Sequence, residues 1–349
     1  MARFKPEIIA ITGPAGKTST KEMVYAVLKI AEKRLGKIGK SHGNLNTKFG
    51  IPLAILQIKT KEPGAIKWLF LSLWALLKFF LFQLKIIAYP KILVLEVGAD
   101  QKGDLAEIVK ELAPKIGALT NVGPAHLEFF KNTDELMKEK MSVMQSLPAD
   151  GLAILPSQGL KREWIDDIKA TKRFFDVQDL AGVARQVADY YRLNGKEVSA
   201  GLKMATKISQ RLNVISSARG YKIIDDTYNA NPVSVPAALI FLQKAEKEIR
   251  AKRKIVVLAD MLELGSGSKK WHQKIGKMVK KQVDLFVSYG DLARYYQAPY
   301  YFDSKEKLTQ FLLGTLMPGD IILVKGSRGM KMEEVVEKLI DNPKPKIII

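Results

Sequence analysis

The chain has 349 residues, of which 47% are hydrophobic and 26% charged, enough to bury a core divided between two domains and to exclude a disordered chain. It contains no cysteine, which excludes disulfides, thiolate metal centres and cysteine nucleophiles and fits a reducing, cytoplasmic setting. A formal net charge of +20 calls for an acidic counterpart among nucleotide phosphates, nucleic acid and anionic membrane surfaces. The Lys and Arg are spread along the chain, with no basic helix carrying interleaved aromatics, so nucleic acid is the poorest of the three.

The opening MARFKPEIIAITGPAGKTST passes from a short basic lead directly into a strand and a Gly-rich turn, with no cleavable apolar region, so the fold is expected to begin almost at Met1. After EIIAIT come Gly13, Pro14, Ala15, Gly16, Lys17, Thr18, Ser19 and Thr20, then the helical pattern KEMVYAVLKIAEKRL. Glycines allow a backbone to fold tightly around phosphate oxygens. A helix N-terminus offers free N–H groups, Lys17 a point charge, and Thr18 a hydroxyl for Mg2+. Gly13, Gly16, Lys17, Thr18 and Ser19 are therefore expected to hold nucleotide phosphate. The match to a P-loop is incomplete, because Ile11 stands where that motif has its first Gly.

The apolar run KILVLEVG reads as a neighbouring strand. A carboxylate inside such a run is costly to bury unless it is paired or metal-bound, so Glu96 at its end is the expected partner of Mg2+. DLAEIVKELA, IGALTNV and DELMKEKMSVMQSL continue a strand-helix alternation, and a second series runs through KIVVLAD, DLFVSYG and DIILVKG. The fold class is α/β: a P-loop ATPase domain on a mostly parallel sheet, followed by a Rossmann-like α/β domain. The expected boundary divides residues 1–247 from 248–349, with the charged segment QKAEKEIRAKRK as the connection.

An insertion at 64–90 interrupts the first domain, and its residues 68–89 are apolar over a length that would pass for a transmembrane helix. A single span is excluded, because the segments on either side must join one sheet. On a helical wheel Lys67, Lys78 and Lys85 fall within about 20° of one another, a cationic stripe suited to anionic lipid. Residues 66–89 are expected to meet an anionic membrane surface, a lipid-linked substrate or another protein face.

Seven blocks, ITGPAGKTSTKEM, GNLNTKFGIPLAIL, LVLEVGADQKGDL, TNVGPAHLEFF, IIDDTYNANPVS, DMLELG and VKGSRGMKMEEVV, resemble the Mur ligases and stand in that family's order across nearly the whole chain. The resemblance is strongest to members that add D-alanyl-D-alanine to a cell-wall peptide precursor. It implies a central ATPase domain and a C-terminal Rossmann-like domain with the active site in the cleft between them. It also implies ATP and Mg2+ as cofactors, and an acyl phosphate made from a peptide carboxylate and resolved by an amine.

Carried onto this chain, the resemblance makes Lys17 and Thr18 the phosphate and Mg2+ contacts, Glu96 the metal-binding acid, and His126 the ligand of a second Mg2+. Lys140 aligns with a lysine that these ligases commonly carbamylate, although Lys138 lies close enough to confuse the alignment. Asn229 and Asn231 fall in a segment that closes over the base and ribose, and equally suit turn formers before Pro232. Lys325, Ser327 and Arg328 match a late block near the cleft, where Arg328 grips phosphate or carboxylate.

Because the Gly-rich turn already begins at Gly13, the family's N-terminal domain for the uridine-diphosphate sugar is expected to be missing. Two other readings follow from different features. A nucleotide-binding scaffold of wall synthesis would bind ATP without turnover, and a membrane-linked P-loop partitioning ATPase would leave YNANP and VKGSR unexplained.

Overall fold

A computed structural model describes residues 4–43, 45–48, 50–58, 65–99, 101–124, 128–130, 132–179, 181–208 and 213–340, with the backbone alone described at 65–70, 206–208 and 213. The chain divides into two compact units, the second beginning at Ser209 and also taking in residues 124–128.

In the first unit the elements run β1 (Glu7–Thr12), α1 (Lys17–Ile30), α2 (Glu32–Leu35), β2 (Ile38–Lys40), α3 (Gly50–Ile55), α4 (Ala65–Gln83), β3 (Ile92–Glu96), α5 (Asp104–Leu112) and β4 (Ile116–Leu119). They continue with α6 (Thr133–Gln145), β5 (Leu152–Pro156), α7 (Arg162–Ile165), β6 (Thr171–Phe175), α8 (Gly182–Tyr190) and α9 (Gly195–Ile208). The strands form one six-stranded parallel sheet in the order β2-β3-β1-β4-β5-β6. Alternation along them decides what each face packs against. Ile9, Ile11, Ile92, Val94, Ile116, Ala118, Leu152 and Ile154 share a buried cluster with Val24, Val27 and Leu28 of α1 and Val183 and Val187 of α8. On β4, a Cβ added at Gly117 would sit 2.9 Å from Met144 Sδ, so the close seat of α6 requires glycine there.

The second unit runs β7 (Asn213–Ser216), β8 (Lys222–Asp226), α10 (Ser234–Ile249), β9 (Arg253–Ala259), α11 (Ser268–Lys280), β10 (Leu285–Tyr289), β11 (Tyr300–Phe302), α12 (Lys305–Thr315), β12 (Asp320–Lys325) and α13 (Glu333–Ile340). Its sheet has the order β11-β10-β9-β12-β8-β7, parallel except for β7. Period two is plain: Ile224, Val256, Leu258, Ile321 and Leu323 pack on α10 and α11, whereas Ile223, Ile255, Val257, Ile322 and Val324 pack on α12 and α13.

Two sequence expectations need correction here. The division falls after Ile208 and not after residue 247, because β7 and β8 pair into the second sheet, where β8 lies against β12. QKAEKEIRAKRK is no connection: it supplies the last turns of α10 and the start of β9, its charges riding on the outer side of a helix whose Leu239, Leu242 and Ala245 are buried.

The lysine stripe fails as well. Lys78 turns toward the body of the unit and donates to the carbonyl of Gln57 (2.6 Å), on the same side as the buried Phe82. Helix α4 ends at Gln83 in a reversed turn, with Lys85 N bonded to Phe82 O, Ile86 N to Leu81 O, and Lys85 at φ +57°, so Lys85 is off the helical wheel. Among the described residues no helix is long and apolar enough to cross a membrane. The strands before and after the insertion pair directly, Ile38 opposite Ile92, as the exclusion of a single span requires.

Candidate active site

The site of the first unit is built where β1 and β3 end side by side. Ile11 lies opposite Glu96 in their register, so the Gly-rich turn after β1 and the carboxylate closing β3 emerge at the same sheet edge. Gly13 has φ +143°, and a Cβ there would stand 2.0 Å from Thr120 Oγ1, so the turn passes too close to β4's end for any other residue. Gly16, at φ +79°, caps α1 without a side-chain bond, so the N-terminus of α1 opens directly on the Gly-rich turn.

Thr18 Oγ1 donates to Glu96 Oε2 (2.8 Å), and Asn46 Nδ2 donates to Glu96 Oε1 (2.9 Å). The backbone N–H of Glu96 donates to Ser41 Oγ (3.1 Å), and that of Gly98 to the carbonyl of Asn46 (2.7 Å). Both oxygens of a buried carboxylate are thus fixed in direction. Lys17 Nζ folds back onto the carbonyl of Gly13 (2.9 Å), which holds its charge at the turn. Ala15, at the crest, is gripped from β4's side: its N–H donates to Asn121 Oδ1 (3.2 Å), and its carbonyl accepts from Thr120 Oγ1 (2.5 Å).

One turn further along α1, Lys21 is 1% exposed. Burial pushes its ammonium down from the ordinary lysine range, while Glu96 and Glu22 push it back up. Glu22 also pairs with Lys40. Lys21 is therefore a buried amine within electrostatic reach of the site's carboxylate.

On α6 the structure separates the two lysines that sequence alignment confuses. Lys138 is exposed and Lys140 is buried, beside Glu139, whose carboxylate caps the start of α5 by accepting from Gly103 N and Leu105 N (both 2.8 Å). His126 lies outside the described residues. Among the described residues no group of three or more His, Asp and Glu forms a ready metal cage. A Mg2+ ion does not require one, because it keeps waters and takes one or two protein oxygens besides phosphate. The Thr18 hydroxyl and Glu96 carboxylate are such a donor set.

In the second unit the residues read as nucleotide contacts are held mainly by their own loops. Lys325 is buried, with Nζ on Asp226 Oδ2 (2.5 Å) and on the carbonyl of Asn229 (2.7 Å). Ser327 Oγ donates to the carbonyl of Ala230 (3.1 Å) and accepts from Leu262 N (2.8 Å). Asn231 Oδ1 accepts from Val233 N (3.1 Å) and Ser234 N (2.8 Å), so its side chain forms the turn that opens α10. Asn229 Oδ1 accepts from Ala230 N (2.8 Å). Arg328 behaves differently: it is exposed, pairs with Glu333 (2.8 Å) and lies over the Tyr228 ring at 6.0 Å.

Sequence reading missed several of these residues. Asn46, Thr120 and Asn121 sat inside quoted blocks but had no role, because their work depends on which loops the strand order brings together. It also missed His272, fully buried, whose Nε2 accepts from Met261 N (3.1 Å) while Nδ1 donates to the carbonyl of Ser268 (2.8 Å). Burial pushes this imidazole below its ordinary value.

A glycine turn, a part-buried hydroxyl-carboxylate pair beside it and a second, mostly parallel unit define an α/β protein with the layout of a nucleotide-dependent enzyme. Residues 11–66 and 78–225 match the Mur ligase middle domain, and residues 210–328 match the Mur ligase glutamate ligase domain. The chain belongs to the Mur ligase family and is an ATP-dependent ligase. It is 26% identical over 383 residues to the UDP-N-acetylmuramoyl-tripeptide--D-alanyl-D-alanine ligase of Bacillus subtilis, covering 96% of this chain and 76% of that one. The Escherichia coli ligase of the same name is 26% identical over 387 residues, covering 96% of this chain and 77% of the relative. Among solved structures, a MurF from Acinetobacter baumannii superposes with a TM-score of 0.77 at 24% identity, over 97% of this chain and 77% of that one. A Thermotoga maritima MurF in complex with ADP does so with a TM-score of 0.75 at 22% identity, over 97% and 80%. At such identities these structures speak for the fold.

Proposed function

We propose that the chain joins D-alanyl-D-alanine to the terminal carboxylate of a muramoyl tripeptide, with ATP and Mg2+. The observation that carries this reading is the Thr18–Glu96 pair at the foot of the phosphate turn, in a chain whose relatives over nearly its full length bear that activity in their names. The tripeptide carboxylate attacks the γ-phosphorus of ATP, the bond to the bridging oxygen breaks, and an acyl phosphate and ADP result. The dipeptide amine then attacks the acyl carbon, loses a proton, and inorganic phosphate leaves. Lys17 and the first N–H groups of α1 neutralise charge as it spreads over the transferring group. Mg2+, when bound, supplies further neutralisation of the phosphate oxygens, and Thr18 and Glu96 are the residues to hold it, with His126 for a second ion.

Asn46 keeps Glu96 aimed, and Lys21 balances its charge. Lys140 is the residue to carry a carbamate, formed when its neutral amine adds to carbon dioxide and releases a proton. Its burial supports this assignment over exposed Lys138. Arg328 is the group suited to a substrate carboxylate or phosphate. We place this work at the inner face of a membrane, reached through residues 66–89.

Purified protein given ATP, Mg2+, UDP-muramoyl tripeptide and D-alanyl-D-alanine is expected to release phosphate in proportion to amide formed, read as product mass. ATP binding without acceptor-dependent turnover would instead favour the scaffold.

A further inference from the structure

Helix α4 carries an apolar face that is exposed among the described residues. Leu73, Trp74, Leu76, Leu77, Phe80 and Leu84 are between 47% and 68% exposed. Leu73, Leu77, Phe80 and Leu84 follow an i, i+4, i+7, i+11 spacing, which at about 100° per residue draws them into one stripe. The opposite side is the anchored one. Phe82 is 3% exposed, edge-on to Tyr89 (5.0 Å) and near Phe4 (6.5 Å), while Lys78 holds the Gln57 carbonyl and Tyr89 Oη the Ile55 carbonyl (3.0 Å). From Leu73 onward the helix is therefore pinned along one narrow line and presents its apolar stripe outward. Isolated exposed leucines are ordinary, but a continuous stripe on one helix marks a contact.

We infer that α4 is an interfacial helix that seats this unit on an anionic lipid bilayer, with the Leu73–Leu77–Phe80–Leu84 stripe entering the acyl boundary. The inference rests on the peripheral placement just proposed and gives it a face, an orientation and a lipid class. Topology makes the helix lie flat. Because β2 and β3 pair with each other, the chain enters and leaves α4 on the same side, so the helix rests in the surface and does not cross it.

Charge selects the occupant. Residues 63–95 contain no Asp or Glu. Exposed Lys85 follows Leu84 directly at the end of the stripe, Lys91 is exposed where the segment rejoins the sheet, and the anchored side adds exposed Lys5, after Phe4 where that ring stacks on Tyr89 (4.9 Å), and Lys37, whose ammonium reaches the Ala88 carbonyl (2.5 Å). A second copy would bring the same basic border and the same net charge of +20 to the contact. An anionic bilayer neutralises that border and accepts leucine and phenylalanine without a shaped counterpart. The cationic contribution thus comes from the ends of the segment, while Lys78 serves as an inward tether.

The test uses the full chain without ATP or substrate, floated on gradients with phosphatidylcholine vesicles and with vesicles containing about 30% phosphatidylglycerol. The wild type is expected to float with the anionic vesicles in preference to the neutral ones. The Leu73→Gln/Leu77→Gln/Phe80→Gln variant is expected to lower the bound-to-free ratio about tenfold or more. Because those three side chains are exposed, its melting temperature should match the wild type, which separates lost contact from lost folding. Lys85→Glu/Lys91→Glu should remove the preference for anionic lipid.

Flotation of the triple variant equal to wild type would overturn the proposal. So would equal flotation of the wild type with both vesicles, or a wild-type dimer in sedimentation velocity that the triple variant dissolves while neither protein floats. Since vesicle binding is read without turnover, failure of ligation leaves this result standing, and failure of flotation leaves ligation standing.

Discussion

The two sheets end in loops that resemble one another in composition yet do opposite work. At the edge of the first sheet, Thr18, Asn46 and Lys17 converge on a carboxylate and a glycine turn that opens on the N-terminus of α1. At the edge of the second, Lys325, Asp226, Ser327 and Asn231 bond to one another and to the backbone and so shape the loops, while Arg328 is exposed. A conspicuous charged motif is therefore not in itself a contact with substrate. What separates the two cases is where the bonds lead: at the first edge Thr18 and Asn46 converge on one carboxylate beside the glycine turn, whereas at the second they end largely on the backbone of their own loops.

Substitutions can break this contrast, and the largest effect is expected at the first edge. Lys17→Ala and Glu96→Ala should each lower kcat by about a thousandfold, because each removes charge that stabilises the transferring phosphoryl group. Steady-state phosphate release checks this, and near-wild-type turnover in either would remove the site assignment. At the second edge Lys325→Met should act on stability: it leaves Asp226 buried without its cation, at a cost of about 3–5 kcal/mol. Urea denaturation reads that cost. If Lys325→Met keeps wild-type stability and loses only activity, the edge is chemical after all. Arg328→Ala sharpens the same comparison from the other side. Its ion pair is exposed, so stability should stay within about 0.5 kcal/mol, while kcat/KM falls about tenfold through the loss of a charge-assisted contact.

Much of this was legible in the chain. Short apolar runs alternating with amphipathic stretches marked the strands, and Glu96 stood out because a carboxylate inside an apolar strand needs a partner, which the structure supplies as Thr18 and Asn46. Asn46 and Thr120 were not legible as site residues, since only the order β3-β1-β4 brings their loops to one turn. The unit boundary was misread because β7 and β8 are an antiparallel pair ahead of α10, so the second sheet begins before its parallel rhythm does. The lysine stripe was misread for two local reasons. A helical wheel does not register the reversed turn at Lys85, and periodicity alone does not say which side of a helix the body of the protein takes.

The smallest expected effect concerns His272, another polar group spent on shape. Its Nε2 must stay unprotonated to accept from Met261 N, because a proton there would face an N–H donor, and Nδ1 is already committed to the Ser268 carbonyl. Burial depresses the imidazole below its ordinary value near 6.5. The sign follows: with the folded value lower than the unfolded one, the stabilisation is fully present above the unfolded value. It is lost progressively as pH falls from there toward the folded value, because the unfolded chain takes up the proton first. His272→Gln should cost about 1–2 kcal/mol at pH 7.5, where the native bonds are intact. That gap should narrow as pH drops below about 6.5, since only the wild type carries this titration. Carboxylates such as Asp260, whose value burial pushes up, titrate in both proteins and cancel in the difference. Paired thermal melts between about pH 7.5 and 5.5 measure it. A gap that stays constant across that range would mean that His272 is not held neutral by the fold.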